Sequence, residues 1–332
     1  MNKIFFLFLT LCILSCDDGE IFFQDSTFET EELKSCDLVT ADNFYLFKSE
    51  GDKALILQLG LNANTIFKGQ ITPANSPRLL TLSGNIKLIE RVYNRSLGIN
   101  DICTTLPPTN LQIIKEWQSE SGTIEVRTTA IKQEANANNE TRLLRYRHTI
   151  VVKDLTINRD GQLQTFDNFE VGFYEQNAET FPGFNATNNI AKCPNTDRYI
   201  LNTSNRIFEL NVPSALFTNV NTPVNEPRIA LIDTTNKFIY RIYPQGFSDA
   251  QRCDLVPQTA TEIWEAENGI NNVSGIIEVT TTSAPDPNMP TVTVFTHQVK
   301  LRKLKMKRTI PNDGVDFLLG DEIIIGIYLD EE

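Results

Sequence analysis

Residues 121–129 read Ser-Gly-Thr-Ile-Glu-Val-Arg-Thr-Thr, and residues 274–282 read Ser-Gly-Ile-Ile-Glu-Val-Thr-Thr-Thr. Seven of the nine positions are identical. Glu125 and Glu278 are flanked by β-branched residues, and period 2 puts Glu125 on one face with Thr123 and Arg127. A strand that occurs twice implies a domain that occurs twice, and the flanking residues agree. Over 77–103 and 227–253 the chain aligns with itself without a gap at an offset of 150. Seven of those 27 positions are identical, where average residue usage gives roughly one or two. Pro73 matches Pro223, Asn75 matches Asn225, and Pro77-Arg78 matches Pro227-Arg228. Later offsets drift, from 153 at Gly122 and Gly275 to 149 at His148 and His297. Drift between strands is what loop insertions produce.

The first copy carries short β-type runs at close spacing: Phe44–Phe47, Ala54–Leu59, Leu79–Leu82, Ile86–Tyr93, Leu111–Trp117, Thr123–Thr129, Leu143–Ile157 and Phe166–Tyr174. Gly84-Asn85 and Asp160-Gly161 are turn dipeptides between them. No segment sustains a 3.6-residue apolar period with caps, so the helix content is expected to be low. The fold class is therefore all-β, with two tandem antiparallel domains. A β-sandwich in each copy fits the strand count and uneven loops, and an up-and-down barrel is the alternative. In Ile150, Val152, Leu155 and Ile157 the apolar spacing runs 2, 3, 2, and Val299, Leu301, Leu304 and Met306 repeat it. One extra residue in a period-2 strand predicts a β-bulge in both copies. The boundaries read as a leader at 1–15, an acidic tether at 16–34, copy one at 35–175, an Asn-rich linker at 176–191 and copy two at 192–332.

The leader has a distinct composition. Met-Asn-Lys precedes an apolar run from Ile4 to Leu14, then Ser15-Cys16. A basic start and a short apolar segment form a secretory signal, too short to span a bilayer. Ile13-Leu14-Ser15-Cys16 resembles a bacterial lipobox, which implies lipidation of Cys16 and a membrane anchor. Asp17, Asp18 and Glu20 resemble the acidic export signals of Bacteroidota surface lipoproteins. That resemblance implies an outer-membrane lipoprotein of the cell envelope, displayed at the surface. Asp25-Ser26-Thr27 and Asp233-Thr234-Thr235 resemble a short O-glycosylation motif of the same group, and plain turn residues read the same way. Without residues 1–15, which contain Lys3 alone among charged residues, 29 basic side chains face 42 acidic ones, a formal charge of −13. Such a chain has no general attraction for nucleic acid.

Beyond Cys12 and Cys16 four cysteines remain, two per copy. Cys36 and Cys103 are 67 residues apart, and Cys193 and Cys253 are 60 apart. In an exported protein one matched pair per copy predicts one disulfide per copy. Loops of that length contribute about 4 kcal/mol in the chain-entropy model. Free thiols or a metal site are the alternative, but neither spacing resembles a zinc site.

Catalytic signatures are missing. There is no His-Glu-x-x-His, Gly-x-Ser-x-Gly or phosphate-cradling glycine loop, and the chain has two histidines. No cofactor or metal is implied, and no catalytic residue is assigned. His148 and His297 each open a long strand, as ligands or as strand-start residues bonded to a loop. Lys87, Ile89, Arg91 and Tyr93 match Lys237, Ile239, Arg241 and Tyr243 on one strand face. Arg91 and Arg241 thus belong either to a patch that grips a polar ligand such as a glycan, or to cross-strand pairs with Glu125 and Glu278. Trp117 and Trp264 align, and a repeated Trp either packs in a core, against the disulfide, or stacks on a sugar. The densest basic run, Lys300, Arg302, Lys303, Lys305, Lys307 and Arg308, has only Lys153 and Arg159 as counterparts. Lys305 and Lys307 are ligand-binding candidates toward an acidic partner surface, which copy one itself could supply. The alternatives are a solvated face or an edge-strand guard. The expected function is binding or scaffolding toward an envelope protein or glycan. A carboxylate-dependent hydrolase and a structural component of a surface complex are the other readings.

Overall fold

The computed structural model describes residues 32–36, 44–103, 108–179, 181, 183–246, 252–253 and 259–332. Cys16 with the rest of the leader and tether up to Glu31, including Asp25–Thr27, lies outside the described residues. The chain is all-β, with 55% strand and 5% helix.

Copy one contributes β1 (Lys34–Ser35), β2 (Tyr45–Glu50), β3 (Lys53–Gln58), β4 (Arg78–Thr81), β5 (Lys87–Tyr93), β6 (Ile113–Lys132), β7 (Leu143–Arg159) and β8 (Gln162–Asn177). They form one antiparallel sheet ordered β1-β2-β3-β5-β6-β7-β8, with β4 added beside β6. The sheet folds over on itself, because Leu57 and Leu88 of its first half share a core with Val126, Val152 and Val171 of its second. Copy two contributes β9 (Ala191–Lys192), β10 (Arg198–Thr203), β11 (Arg206–Asn211), β12 (Arg228–Leu231), β13 (Lys237–Ile242), β14 (Glu262–Ala266) and β15 (Ile276–Pro285). It ends with β16 (Thr293–Arg302), β17 (Lys305–Ile310), β18 (Asp316–Leu318) and β19 (Glu322–Glu331). Here the same arrangement is cut in two, a sheet β18-β17-β14-β13-β11-β10-β9 facing a sheet β12-β15-β16-β19. The architecture is sandwich-like.

Two local features explain the bend. Along β7 from Tyr146 onward the buried positions are Tyr146, His148, Ile150, Val152, Leu155, Ile157 and Arg159, period 2 with one slip. The slip falls at Asp154, whose φ is 49°, and in copy two at Lys303, also 49°. One residue in the left-handed region turns the strand and keeps its apolar face inward past the bend. The partner strand bends beside it at the glycine of the repeated motif. Gly122 has φ 145° and Gly275 has φ 68°, where a side chain would be strained.

The segment read as a linker between the copies packs into copy two. Phe181 meets Phe208 and Tyr240 edge-on at 5.4 and 4.8 Å, and Phe184 meets Phe208 at 4.6 Å. Asn189 then bridges to Ile327 of β19 in parallel, as Glu32 bridges to Phe173 of β8 in copy one. The core of copy two also takes in Leu143 and Tyr146 of copy one, along with Ala178 of the segment between them, so the copies share buried apolar surface.

Candidate functional site

The residues that match between the copies build one repeated knot. Arg78 Nη1 donates to Thr128 Oγ1 at 2.7 Å, and Thr128 Oγ1 lies 2.8 Å from His148 Nδ1. Arg228, Thr281 and His297 reproduce both distances. The arginine also donates to backbone carbonyls of the loop before it, Gln70 and Ile66 in copy one, Val220 and Leu216 in copy two. Because arginine only donates, the threonine proton is left for the imidazole, which is then neutral and protonated on Nε2. Both histidines are fully buried and stack on a tyrosine, Tyr174 at 6.0 Å and Tyr328 at 5.6 Å. Burial pushes His148 down to about 4 and lowers His297 as well. A buried imidazole that stays neutral and bonds the threonine held by the arginine acts as a clamp between loop and sheet.

The expected pairing of Arg91 with Glu125 and Arg241 with Glu278 does not form. Glu125 and Glu278 lie past the bend, opposite β4 and β12. Arg91 bonds Glu116 at 2.7 Å across β5 and β6, and Arg241 bonds Glu209 of β11. Glu278 instead takes Arg302 at 2.9 Å and Lys300 at 3.8 Å, while Glu125 has only Arg127 at 4.0 Å. On the same face, Ile89 and Tyr93 are buried with Cys36 in a small satellite core, Tyr243 is buried with Cys193 in its counterpart, and Ile239 is buried as well. Cys36 bonds Cys103 and Cys193 bonds Cys253, with Cα separations of 5.2 and 5.5 Å. Neither tryptophan joins these satellites. Trp264 is buried in the main core of copy two against Phe317, and half-buried Trp117 packs on the core of copy one. Each lies under an equivalent arginine, Arg159 at 4.9 Å and Arg308 at 5.3 Å.

Most of the basic run is spent inside the chain. Arg308 has no exposed surface; it pairs with buried Asp313, donates to Tyr146 Oη at 2.5 Å and to the Gly69 carbonyl at 3.1 Å. Tyr146 and Gly69 belong to copy one, so this arginine of copy two fastens the copies together. Asp313 also accepts from the Ile71 amide at 3.0 Å, and Lys132 of copy one reaches Asp316 at 2.5 Å. Glycine is needed at 69, since a Cβ there would stand 2.9 Å from the Tyr146 ring. Burial pushes the Tyr146 hydroxyl up to about 12. A cavity of about 20 Å³ beside this seam is lined by Glu179, Glu262, Tyr240 and Trp264, and burial raises Glu262 above the usual carboxylate range. That volume holds about one water.

The one roomy groove at the junction of the copies is made from what they do not share. Its volume is about 440 Å³, and its lining includes Asn139, Glu267, Asn268, Ile270, Val273, Lys303, Lys305, Leu318 and Asp321. One wall is the 267–273 segment, which holds the extra residues of copy two between Trp264 and the repeated Ser274-Gly275; in copy one β6 runs on unbroken through the equivalent point. The opposite wall is the bulge, where Lys303 stands for Asp154. The hairpin of copy one closes one end: Asn138 O accepts from the Asp321 amide at 2.7 Å, and Asn139 Nδ2 donates to Asp321 Oδ2 at 2.8 Å. Lys305 lies in this groove, paired with Asp316 at 3.1 Å and Glu267 at 3.2 Å. Lys307 lies outside it, between Glu265 and Asp316 in the ladder. Arg91 and Arg241 are on other faces. The sequence contains a signal for this site: the offset between copies jumps from 147 at Trp117 and Trp264 to 153 at Gly122 and Gly275. That jump is the inserted wall.

Among the described residues no group of three or more His, Cys, Asp or Glu side chains could hold a metal ion. No protein-family model matches the chain, and neither a curated protein nor a solved structure matches it.

Proposed function

We propose that this chain is a lipid-anchored protein of the bacterial cell envelope, held by Cys16, whose joined β modules bind or scaffold a partner through the groove of copy two. The observation that carries this reading is convergence. An insertion, a charge reversal at a shared bulge and a hairpin from the other copy meet at one concave site, while the matched residues are consumed by the fold. A ligand site of this size is ordinary. The leader supports the anchor and the envelope address, and the acidic residues after Cys16 support display at the surface.

The hydrolase reading has less behind it. Glu179 and Glu262 share space for about one water, and the carboxylates that line the groove are already engaged, Glu267 by Lys305 at 3.2 Å and Asp321 by Asn139 at 2.8 Å. The test is in the protein's own cells. Intact mass of membrane-extracted protein should show acylated Cys16, and crosslinking should capture a partner that is lost with Lys303→Glu and Ile270→Asp. An unacylated chain removes the anchor; a capture indifferent to both substitutions removes the groove.

A further inference from the structure

The lining of the groove discriminates between ligand classes. Its apolar part is three aliphatic side chains left uncovered, Ile270 at 61%, Val273 at 54% and Leu318 at 37% exposure. No aromatic residue lines it, so a sugar ring would find no aromatic face to stack on. Its two cations are not equivalent. Lys305 is held between two carboxylates, whereas Lys303 is exposed and has no carboxylate within ion-pair distance among the described residues. The bulge that aims Lys303 is also present in copy one, with the same φ, but carries Asp154 there. The backbone shape is therefore set by the fold, and the positive charge belongs to copy two alone. The exposed carboxamide of Asn268 stands at the groove to bond a main chain.

We infer that the groove takes an extended segment of a partner polypeptide in which one Asp or Glu is flanked by aliphatic residues. In an extended segment side chains two apart share a face. An acidic residue at i then meets Lys303 while aliphatic residues at i−2 and i+2 meet Ile270, Val273 and Leu318. Of the groove's own carboxylates, Glu267 is neutralised by Lys305 at 3.2 Å and Asp321 is bonded by Asn139 at 2.8 Å, and charges more than about 8–10 Å away are screened at physiological salt. The inference rests on the groove being the ligand site, as proposed above, and narrows its ligand.

The probe is a library of fluorescein-labelled heptapeptides with Asp or Glu at the centre and Leu, Ile or Val two positions to either side. The controls have Asn or Gln at the centre, and cellohexaose and xylohexaose form the glycan arm. Binding to the full membrane-extracted chain is read by anisotropy and calorimetry. The acidic peptides should bind saturably, at least tenfold more tightly than the amide controls. Lys303→Glu should abolish that preference, Ile270→Asp should weaken binding at least tenfold, and Lys307→Glu, outside the groove, should change nothing. All three positions are exposed, and an unchanged thermal midpoint checks each variant. Equal binding of acidic and amide peptides overturns the inference, as does no peptide binding at millimolar concentration. Oligosaccharide binding that Lys303→Glu and Ile270→Asp remove would keep the groove and overturn the peptide. Binding of any probe that neither substitution touches would sink the groove itself.

Discussion

Asp154 and Lys303 turn the long strand of each copy by the same left-handed residue, and from there the copies diverge. In copy one β6 and β7 run through the turn unbroken, so a single sheet curls over the core. In copy two the inserted residues within 267–273 and the turn at Lys303 divide both strands, and two sheets face each other. The buried side chains hardly register the difference, since Leu155 and Ile157 on one side and Leu304 and Met306 on the other are all buried. Agreement between copies therefore marks what each sandwich needs in order to close. Disagreement marks where the chain was free to acquire something else, and it gathers at the groove and the seam.

Arg159 and Arg308 give the harshest test of that division. They are equivalent, both lie over a tryptophan, and both pair with a carboxylate, Glu90 or Asp313. Arg308 also holds the other copy, through Tyr146 and Gly69. Arg308→Met should cost about 3–5 kcal/mol, because Asp313 is left buried without its charge partner. It should also free copy one to move against copy two. Denaturant unfolding measures the first effect, and limited proteolysis at the 178–190 segment the second. Pairing it with Asp313→Leu should restore much of the stability but not the resistance to proteolysis. If Arg159→Met loosens the copies equally, the seam is not special to copy two.

The repeated clamp should behave as one device in two places, and pH reads it. Burial holds His148 near 4 and lowers His297, while unfolding returns both toward 6.5. Below about pH 6.5 the unfolded chain therefore binds protons that the folded chain refuses. Stability should be full at pH 7, fall as pH drops through 6.5, and stop falling near pH 4, with His148 contributing on the order of 3 kcal/mol. His148→Gln should flatten that slope, and the double replacement with His297→Gln should flatten it further. At fixed pH 7, Thr128→Val and Thr281→Val should each cost about 1–3 kcal/mol by stranding the arginine and the imidazole. The two losses should agree within about 0.5 kcal/mol, because the geometry repeats within 0.1 Å. Unequal losses would mean that matched residues need not do matched work.

Much of this fold was legible in the residues, and the parts that were not share a cause. The duplication, the bulge and the cysteine partners are statements about one strand or one pair, and a repeat doubles the evidence for each. The partner of Arg91 was not legible, because it depends on which sheet Glu125 joins. The runs 111–117 and 123–129 read as two neighbouring strands. They are halves of one strand bent at Gly122, and the bend carries Glu125 away to the second layer. Glu116, on the near half, takes its place. The 178–190 segment misled for a different reason: its asparagines suggested a spacer, while its energetic weight sits in Phe181 and Phe184. The groove was legible only as a jump in alignment offset, with no hint of what lines it.

The smallest expected effect falls on Arg91 and Arg241, matched residues with unmatched partners. Arg91 and Glu116 are each 30% exposed at the side chain, so water already competes for both charges. Arg91→Ala should cost no more than about 1 kcal/mol. Arg241 shares Glu209, only 7% exposed, with Arg198 at 3.1 Å. Arg241→Ala therefore leaves that carboxylate one cation and should cost somewhat more than its counterpart, while the double replacement with Arg198→Ala should cost more than the sum of the single losses. A non-additive excess of about 1 kcal/mol or more, in a double-mutant cycle by denaturant unfolding, would identify Glu209 as the group being protected. Neither single substitution should alter capture of a partner through the groove. If Arg91→Ala did so at full stability, the matched face would be a binding surface after all, and agreement between the copies would no longer separate fold from function.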